Sequence, residues 1–97
     1  MPTRDILATF WNDYDRLTPE QQTLFKAAVR HFLDDLRARQ TFRPGLRVKR
    51  VQRVKGVYEM TWAPDGRATF AFGTEVLPGE PHIIWRRIGG HDIFTNP

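Results

Sequence analysis

The apolar residues in the first third of the chain recur at helical spacing. Within residues 4–17 they lie mostly three or four positions apart, and they are Ile6, Leu7, Phe10, Tyr14 and Leu17. This period predicts an amphipathic helix over 4–17. A second helix is predicted from Thr18 to about Arg39, because Thr18 suits the N-cap and Gln21 completes a capping box. Since the connection is so short, we expect an antiparallel helical hairpin over residues 4–39.

The hydrophobic period changes from helical to alternating after the segment RPG at 43–45, which cannot continue a helix. The alternation predicts strands at about 46–52, 56–63, 67–76 and 82–88. Short turns such as APDGR separate the strands, so they are expected to form an antiparallel meander over 46–94. The whole chain, 1–97, is therefore predicted to be one α+β domain. Two helices would cover one face of a three- to four-stranded sheet.

Composition excludes several classes of protein. The 97 residues include no cysteine, which excludes disulfides, thiolate metal sites and thiol nucleophiles. No apolar run approaches the roughly 18–20 residues that a membrane-spanning helix needs. Charges interrupt the apolar pattern of the N-terminus, so no signal peptide is expected. We expect a cytoplasmic protein without a membrane partner.

Positive charge is concentrated in the second part of the chain. Residues 1–35 hold four Lys/Arg against six Asp/Glu, whereas residues 36–97 hold eleven against five. Between Leu36 and Tyr58 there are eight Lys/Arg and no acidic residue. Such a segment can neutralise phosphates and bind nucleic acid in a salt-sensitive way. It could also meet an acidic protein partner, or form a solvated strand edge protected by charge.

Strand alternation gathers cations on the face that the helices leave open. The side chains predicted to lie beneath the helices are Tyr58, Met60, Trp62, Phe70 and Phe72. Arg47, Lys49 and Arg67 are then predicted to surround Glu59 on the open face. The last strand is ambiguous, but either register adds one arginine, Arg86 or Arg87.

This set of residues suits phosphoryl chemistry. Arginine and lysine can stabilise the extra negative charge of a phosphorane, and a carboxylate or histidine can accept a proton from the attacking hydroxyl. The candidate catalytic residues are therefore Lys49, Glu59, Arg67, Arg86, Arg87 and His91. A cross-strand ion pair with Arg67 or Lys49 is the simpler interpretation of Glu59.

The remaining histidines and tryptophans suggest few further sites. His31, His82 and His91 lack metal-ligand spacing, so we expect no metal and no cofactor. Trp62 is expected in the core, whereas Trp85 could lie on either face of the sheet. If Trp85 lies on the exposed face, its ring could stack on a base. The candidate RNA-binding residues are Arg47, Arg50, Arg53, Lys55 and Trp85.

The order of these segments resembles the RelE/ParE toxin superfamily of bacterial type II toxin–antitoxin systems. The resemblance covers about Leu17 to Phe94. A helix, LTPEQQTLFKAAVRHFLDDL, precedes the basic stretch GLRVKRVQRVKG and the strand VYEMTW. GRATFAF is similar to the segment after the central turn of the family, and HIIWRRIGGHDIF to its last strand and tail.

The resemblance implies a curved antiparallel sheet with two N-terminal helices on its convex side. It implies a toxin that a cognate antitoxin neutralises in a hetero-oligomer. The RelE-like branch, which we favour, comprises endoribonucleases that cut mRNA in the ribosomal A site without a metal, through attack of the ribose 2′-hydroxyl. The alternative is a non-catalytic module, such as a ParE-like inhibitor of DNA gyrase or a subunit that binds nucleic acid or protein.

The resemblance also assigns positions. Lys49 and Arg50 are similar to the basic residues that precede the second strand of the family's sheet, and Arg67 to the arginine after its central turn. His91 is similar to a C-terminal histidine that some branches use as an acid or base. Two departures stand out: Phe94 lies where several members have tyrosine, and residues 4–17 are predicted to be helical where members begin with a strand.

Overall fold

The computed structural model describes residues 2–39 and 41–97. Within them the strands are β1 Thr3–Ile6, β2 Lys49–Arg50, β3 Tyr58–Ala63, β4 Gly66–Gly73 and β5 His82–Gly89. The helices are α1 Ala8–Tyr14 and α2 Pro19–Arg37, with 3₁₀ turns at Pro44–Leu46 and His91–Thr95. The strands form one sheet in the order β1-β5-β4-β3-β2, in which β1 is parallel to β5 and the other pairs are antiparallel. Neither helix is long and apolar enough to span a membrane.

The predicted helix over 4–17 is wrong at its start, because Thr3–Ile6 is a strand and α1 covers only Ala8–Tyr14. β1 pairs with β5, and the Leu7 N–H donates to the Trp85 carbonyl at 3.0 Å. His82 adds side-chain contacts, with Nδ1 2.6 Å from Thr3 Oγ1 and Nε2 2.9 Å from Asp5 Oδ2. Contacts across nearly the whole chain therefore override the local period. The sheet accordingly has five strands and is mixed, where three or four antiparallel strands were expected.

The second helix forms as predicted at its start and ends two residues early. Gln21 N donates to Thr18 Oγ1 at 3.2 Å, and Thr18 N donates to Gln21 Oε1 at 2.9 Å, which is the predicted capping box. The strand predicted over 46–52 is reduced to the two residues of β2. A 3₁₀ turn precedes it, and Arg47 adopts a left-handed φ of 47°, which is incompatible with an extended strand.

The core is a cluster of aromatic rings between the helices and the sheet. Phe32 lies at its centre, with ring centroids 5.0 Å from Phe70, 5.5 Å from Trp85 and 4.9 Å from Phe42. Met60, Trp62 and Phe70 are buried as predicted. Phe72 is an exception: it was predicted to lie under the helices but is 47% exposed, because it lies near the end of β4 at the margin of the cluster.

A buried carboxylate fixes the start of the basic segment. Asp35 on α2 accepts hydrogen bonds from Arg43 N and Nε, both at 2.9 Å, and from Arg43 Nη2 at 2.8 Å. The side-chain hydrogen bond with Asp35 raises the pKa of Arg43, against a smaller opposing effect of desolvation. His31 also lies 2.6 Å from Arg43, between its Nδ1 and the arginine Nη1. The chain that enters the basic segment is thereby held against α2.

Candidate anion-binding face

A bulge in β5 decides which side chains reach the open face of the sheet. Thr69 pairs with Arg87 and Phe70 pairs with Trp85, so β5 contains one extra residue, Arg86. This shift explains why both Trp85 and Ile88 are buried. It also completes a cross-strand row on the open face, which runs Glu59, Thr69, Arg87.

Glu59 and Lys49 form a cross-strand ion pair. They are register partners on β3 and β2, and Lys49 Nζ lies 3.9 Å from Glu59 Oε1. The two side chains are 13% (Glu59) and 69% (Lys49) exposed. The pair borders a cavity of about 250 Å³ lined by Lys49, Arg50, Val51, Gln52, Glu59 and Phe94. A partly buried carboxylate and two cations thus share one concave site.

The four predicted RNA-binding cations lie on β2 or in the segments next to it, and one of them, Arg50, lines this cavity. Arg47, Arg50, Arg53 and Lys55 are all exposed. Among the described residues, no ion pair joins any of these four to an acidic side chain. Arg53 and Lys55 lie in the turn after β2, which is closed by Val51 N donating to the Val57 carbonyl at 2.9 Å. Their charge is available to an anionic ligand.

Arg67, a predicted catalytic residue, directs its guanidinium at its own turn. It is 9% exposed, and its Nη1 donates to the carbonyls of Ala63, Pro64 and Gly66 at 3.3, 3.2 and 2.9 Å. These bonds fold the guanidinium back onto the turn between β3 and β4. The geometry therefore gives Arg67 a role in stabilising that turn.

Arg86 and Arg87 fix the C-terminal segment and α1. Arg87 donates from Nε and Nη2 to the carboxylate of Asp13, at 2.6 and 3.2 Å, and from Nη1 to the Asn96 carbonyl at 3.0 Å. Arg86 Nε donates to the main-chain oxygen of Pro97 at 3.0 Å. The side-chain hydrogen bonds with Asp13 raise the pKa of Arg87, partly offset by desolvation. Asp13 is a residue that the sequence analysis missed, because nothing local to α1 marks its partner on β5.

The C-terminal 3₁₀ turn, His91–Thr95, lies against β4 and β5 on the open face. Ile93 is 1% exposed and packs so closely over Gly89 that a Cβ there would lie 3.0 Å from Ile93 Cγ2. Phe94 lines the Lys49–Glu59 cavity, and its ring centroid is 5.8 Å from that of His91. His91 is exposed, and its ring lies next to Phe94, which lines the cavity.

Trp85 belongs to the core rather than to a stacking surface. It is 5% exposed, and its ring contacts those of Phe10, Phe25, Phe32 and Phe70. The structure thus resolves the ambiguous strand and removes Trp85 from the RNA-binding candidates. Among residues 2–39 and 41–97, no group of three or more His, Asp or Glu is arranged to hold a metal ion.

Comparison with known proteins identifies the fold. The sequence matches no protein-family profile and no curated protein. Its structure does match solved toxins. The chain has the RelE/ParE toxin fold. At these low identities the likeness concerns the fold alone. Strand β1 is the N-terminal strand with which members of the family begin, and it lies where the sequence predicted a helix.

Three of the matching structures illustrate the extent of this likeness. The DinJ–YafQ complex of E. coli matches at 13% identity and a TM-score of 0.65, over 95% of this chain and 96% of the other. The YoeB/ParE toxin of Agrobacterium tumefaciens matches at 11% identity and a TM-score of 0.67, over 92% of this chain and 98% of the other. The RelB–RelE antitoxin–toxin complex of Methanococcus jannaschii matches at 13% and 0.60, over 94% of each chain.

Proposed function

We propose that this protein is the toxin of a type II toxin–antitoxin system and a RelE-like endoribonuclease that cleaves ribosome-bound mRNA without a metal. The observation that carries the proposal is the Lys49–Glu59 pair in a cavity that is also lined by Arg50, an exposed cation with no ion-pair partner among the described residues. A polyanion would bind there with its phosphates beside a carboxylate able to take up a proton. The fold supports the proposal, since its structural neighbours are described as toxins.

The chemistry requires two proton transfers. The ribose 2′-oxygen attacks the adjacent phosphorus and gives its proton to Glu59. Lys49 and Arg50 stabilise the phosphorane, and His91 donates a proton to the leaving 5′-oxygen. The P–O5′ bond breaks, which gives a 2′,3′-cyclic phosphate and a 5′-hydroxyl. Arg67 supports the turn between β3 and β4, Arg86 supports the C-terminal segment, and Arg87, paired with Asp13, holds α1 at the end of the Glu59 row.

An antitoxin is the proposed protein partner. A groove of about 550 Å³ lies between β1, α1 and α2, and Trp11, on its wall, is 47% exposed. Three cations also line it, Arg4, Lys26 and Arg30, and no carboxylate belongs to its described lining. This groove suits an acidic segment with large apolar side chains. The matching complexes, which are of toxins with antitoxins, support the same partner.

Cleavage of ribosome-bound mRNA by the purified protein tests the proposal. We expect Glu59→Gln and His91→Ala each to slow cleavage by about 10²–10⁴-fold, the usual contribution of general acid–base catalysis. Glu20→Gln, at an exposed position on α2, is the matched control and should cleave normally. Growth arrest on expression should follow the same order. Full cleavage by both site variants would overturn the assignment.

A second candidate is a ParE-like gyrase inhibitor. It is favoured by the commitment of Arg67, Arg86 and Arg87 to structural contacts, and by Phe94, which cannot transfer a proton. Gyrase supercoiling assays distinguish the two functions. Inhibited supercoiling with intact ribosomal mRNA would favour this second function.

A further inference from the structure

The centre of the open face contains a buried hydroxyl without a partner. Thr69 is 0% exposed, and its Oγ1 makes no hydrogen bond in the described structure. Buried polar groups are nearly always bonded, and an unmet one lowers stability. Valine would fill the same space in a strand without that cost. The described structure therefore gains no hydrogen bond from the Thr69 hydroxyl.

The position of Thr69 points to a ligand. It lies in the cross-strand row between Glu59 and Arg87, beside the cavity that Lys49 and Arg50 line. A hydroxyl donor in that row suits an acceptor oxygen of the anion that the face would bind.

The C-terminal turn is the cover over this face. Ile93 packs on the neighbouring Gly89, and Phe94 reaches the Glu59 cavity. The turn is tied down by its own main-chain bonds, from Ile93 N to Gly90 O at 3.3 Å and Asn96 N to Ile93 O at 3.1 Å. Arg87 and Arg86 hold the residues that follow it. The cover is held by one buried apolar side chain, two main-chain hydrogen bonds and the two arginine contacts, so it can open as a local unit while the sheet stays intact.

We propose that Thr69 is a ligand-binding residue, whose hydroxyl donates to a phosphate oxygen of single-stranded RNA when the C-terminal turn moves off the sheet. This inference rests on the proposed function, because it uses the same face. In the closed form the hydroxyl is left without a partner, and bound RNA supplies one.

Thr69→Val and Thr69→Ser form the test. The probe is a short labelled single-stranded RNA with 2′-O-methyl riboses, which prevents cleavage, at low salt. We expect Thr69→Val to raise the thermal midpoint, because the unmet hydroxyl is gone, and to weaken RNA binding about tenfold. Thr69→Ser keeps the hydroxyl and should keep the affinity. A gain in stability with loss of binding is a combination that a purely structural role does not give.

The outcomes separate the two proposals. Wild-type protein that binds no RNA would overturn this inference, whereas the proposed function is overturned separately, by intact ribosome-bound mRNA in the cleavage assay. Wild-type binding that Thr69→Val leaves unchanged would overturn this inference alone. Ile93→Ala, which loosens the cover, should tighten RNA binding several-fold because less of the population is closed. Weaker binding by a folded Ile93→Ala variant would show that the turn is not a cover and would also contradict the inference.

Discussion

The two faces of the sheet are built in opposite ways. The helix-covered face is a continuous cluster of buried rings around Phe32. The open face carries Glu59, Thr69 and Arg87 in one row, with exposed cations beside it and a short C-terminal turn across it. The first arrangement maximises apolar burial, whereas the second retains a hydroxyl and an acid that burial disfavours. Apolar burial resides mainly on one face, whereas the other holds polar groups that differ in role: Arg87 is bound to Asp13, and Thr69 Oγ1 has no partner in the described part of the chain.

Arginine shows the same division within one residue type. Arg43, Arg67 and Arg87 are bound to carboxylates or carbonyls of their own chain. Arg50 and Arg53 are exposed and make no ion pair among the described residues. A count of basic residues therefore overstates the charge available to a ligand.

The largest expected effect is on the covered face. Phe32→Ala should lower the free energy of unfolding by about 3–5 kcal/mol, because it leaves a cavity at the centre of the ring cluster. Urea denaturation followed by circular dichroism measures the change. Phe72→Ala is the matched control, and its loss should be much smaller because Phe72 is 47% exposed. Equal losses at both positions would contradict the assignment of the core.

The next effect tests the link between α1 and β5. Asp13→Ala should cost about 2–3 kcal/mol, because it removes the partner of Arg87 and an acceptor for Ile88 N at 3.2 Å. Asp15→Ala, on an exposed side chain at the end of the same helix, should change stability by less than about 0.5 kcal/mol. Thermal unfolding of both variants measures the difference. A similar small change in both would mean that the Asp13–Arg87 pair adds nothing to stability.

Local signals in the sequence predicted the elements whose causes are local. The capping box at Thr18 and Gln21 predicted the start of α2, and the turn APDGR predicted the hairpin of β3 and β4. By contrast, Thr3–Ile6 becomes a strand only because β5, nearly eighty residues away, offers an edge. Its apolar spacing fits a helix equally well.

The part of the site that was predicted also depends on a local signal. The alternation of side chains along the strands predicted Lys49 beside Glu59, and the register of β2 and β3 confirms it. Strict alternation does not predict the extra residue in β5. That residue allows both Trp85 and Ile88 to be buried and leaves Arg87 beside Asp13. The folding of Arg67 onto its own turn depends on side-chain geometry that alternation does not describe.

A smaller effect separates Arg67 from the free cations. Arg67→Ala should cost about 1–2 kcal/mol, because the three carbonyls of the turn lose a charged donor. Its affinity for single-stranded RNA should stay close to that of the wild type. Fluorescence anisotropy and chemical denaturation measure the two quantities on the same samples. A large loss of RNA affinity at unchanged stability would indicate that Arg67 binds the ligand and does not mainly stabilise the turn.

The exposed cations should show the reverse behaviour. Arg50→Ala and Arg53→Ala should each change stability by less than about 0.5 kcal/mol. Each should lower the slope of log affinity against log salt by about 0.7 for single-stranded RNA, since one phosphate contact is lost. A salt titration of binding measures the slope. Lys26→Ala, a cation on the helix side, should leave the slope unchanged, and a loss there as large as at Arg50 would show that RNA binding is not confined to the open face.

The Lys49–Glu59 pair is expected to be weakly coupled. Lys49 is 69% exposed and its ammonium lies 3.9 Å from the carboxylate, so the coupling should be below about 1 kcal/mol. A double-mutant cycle of Lys49→Ala and Glu59→Gln, followed by denaturation, measures that coupling. Because so weak a pair hardly affects folding, any loss of mRNA cleavage in the single variants would reflect chemistry or binding. A coupling above about 2 kcal/mol would make the pair a structural element, and Glu59 would then belong with Arg43 and Arg87 among the groups that hold the fold together.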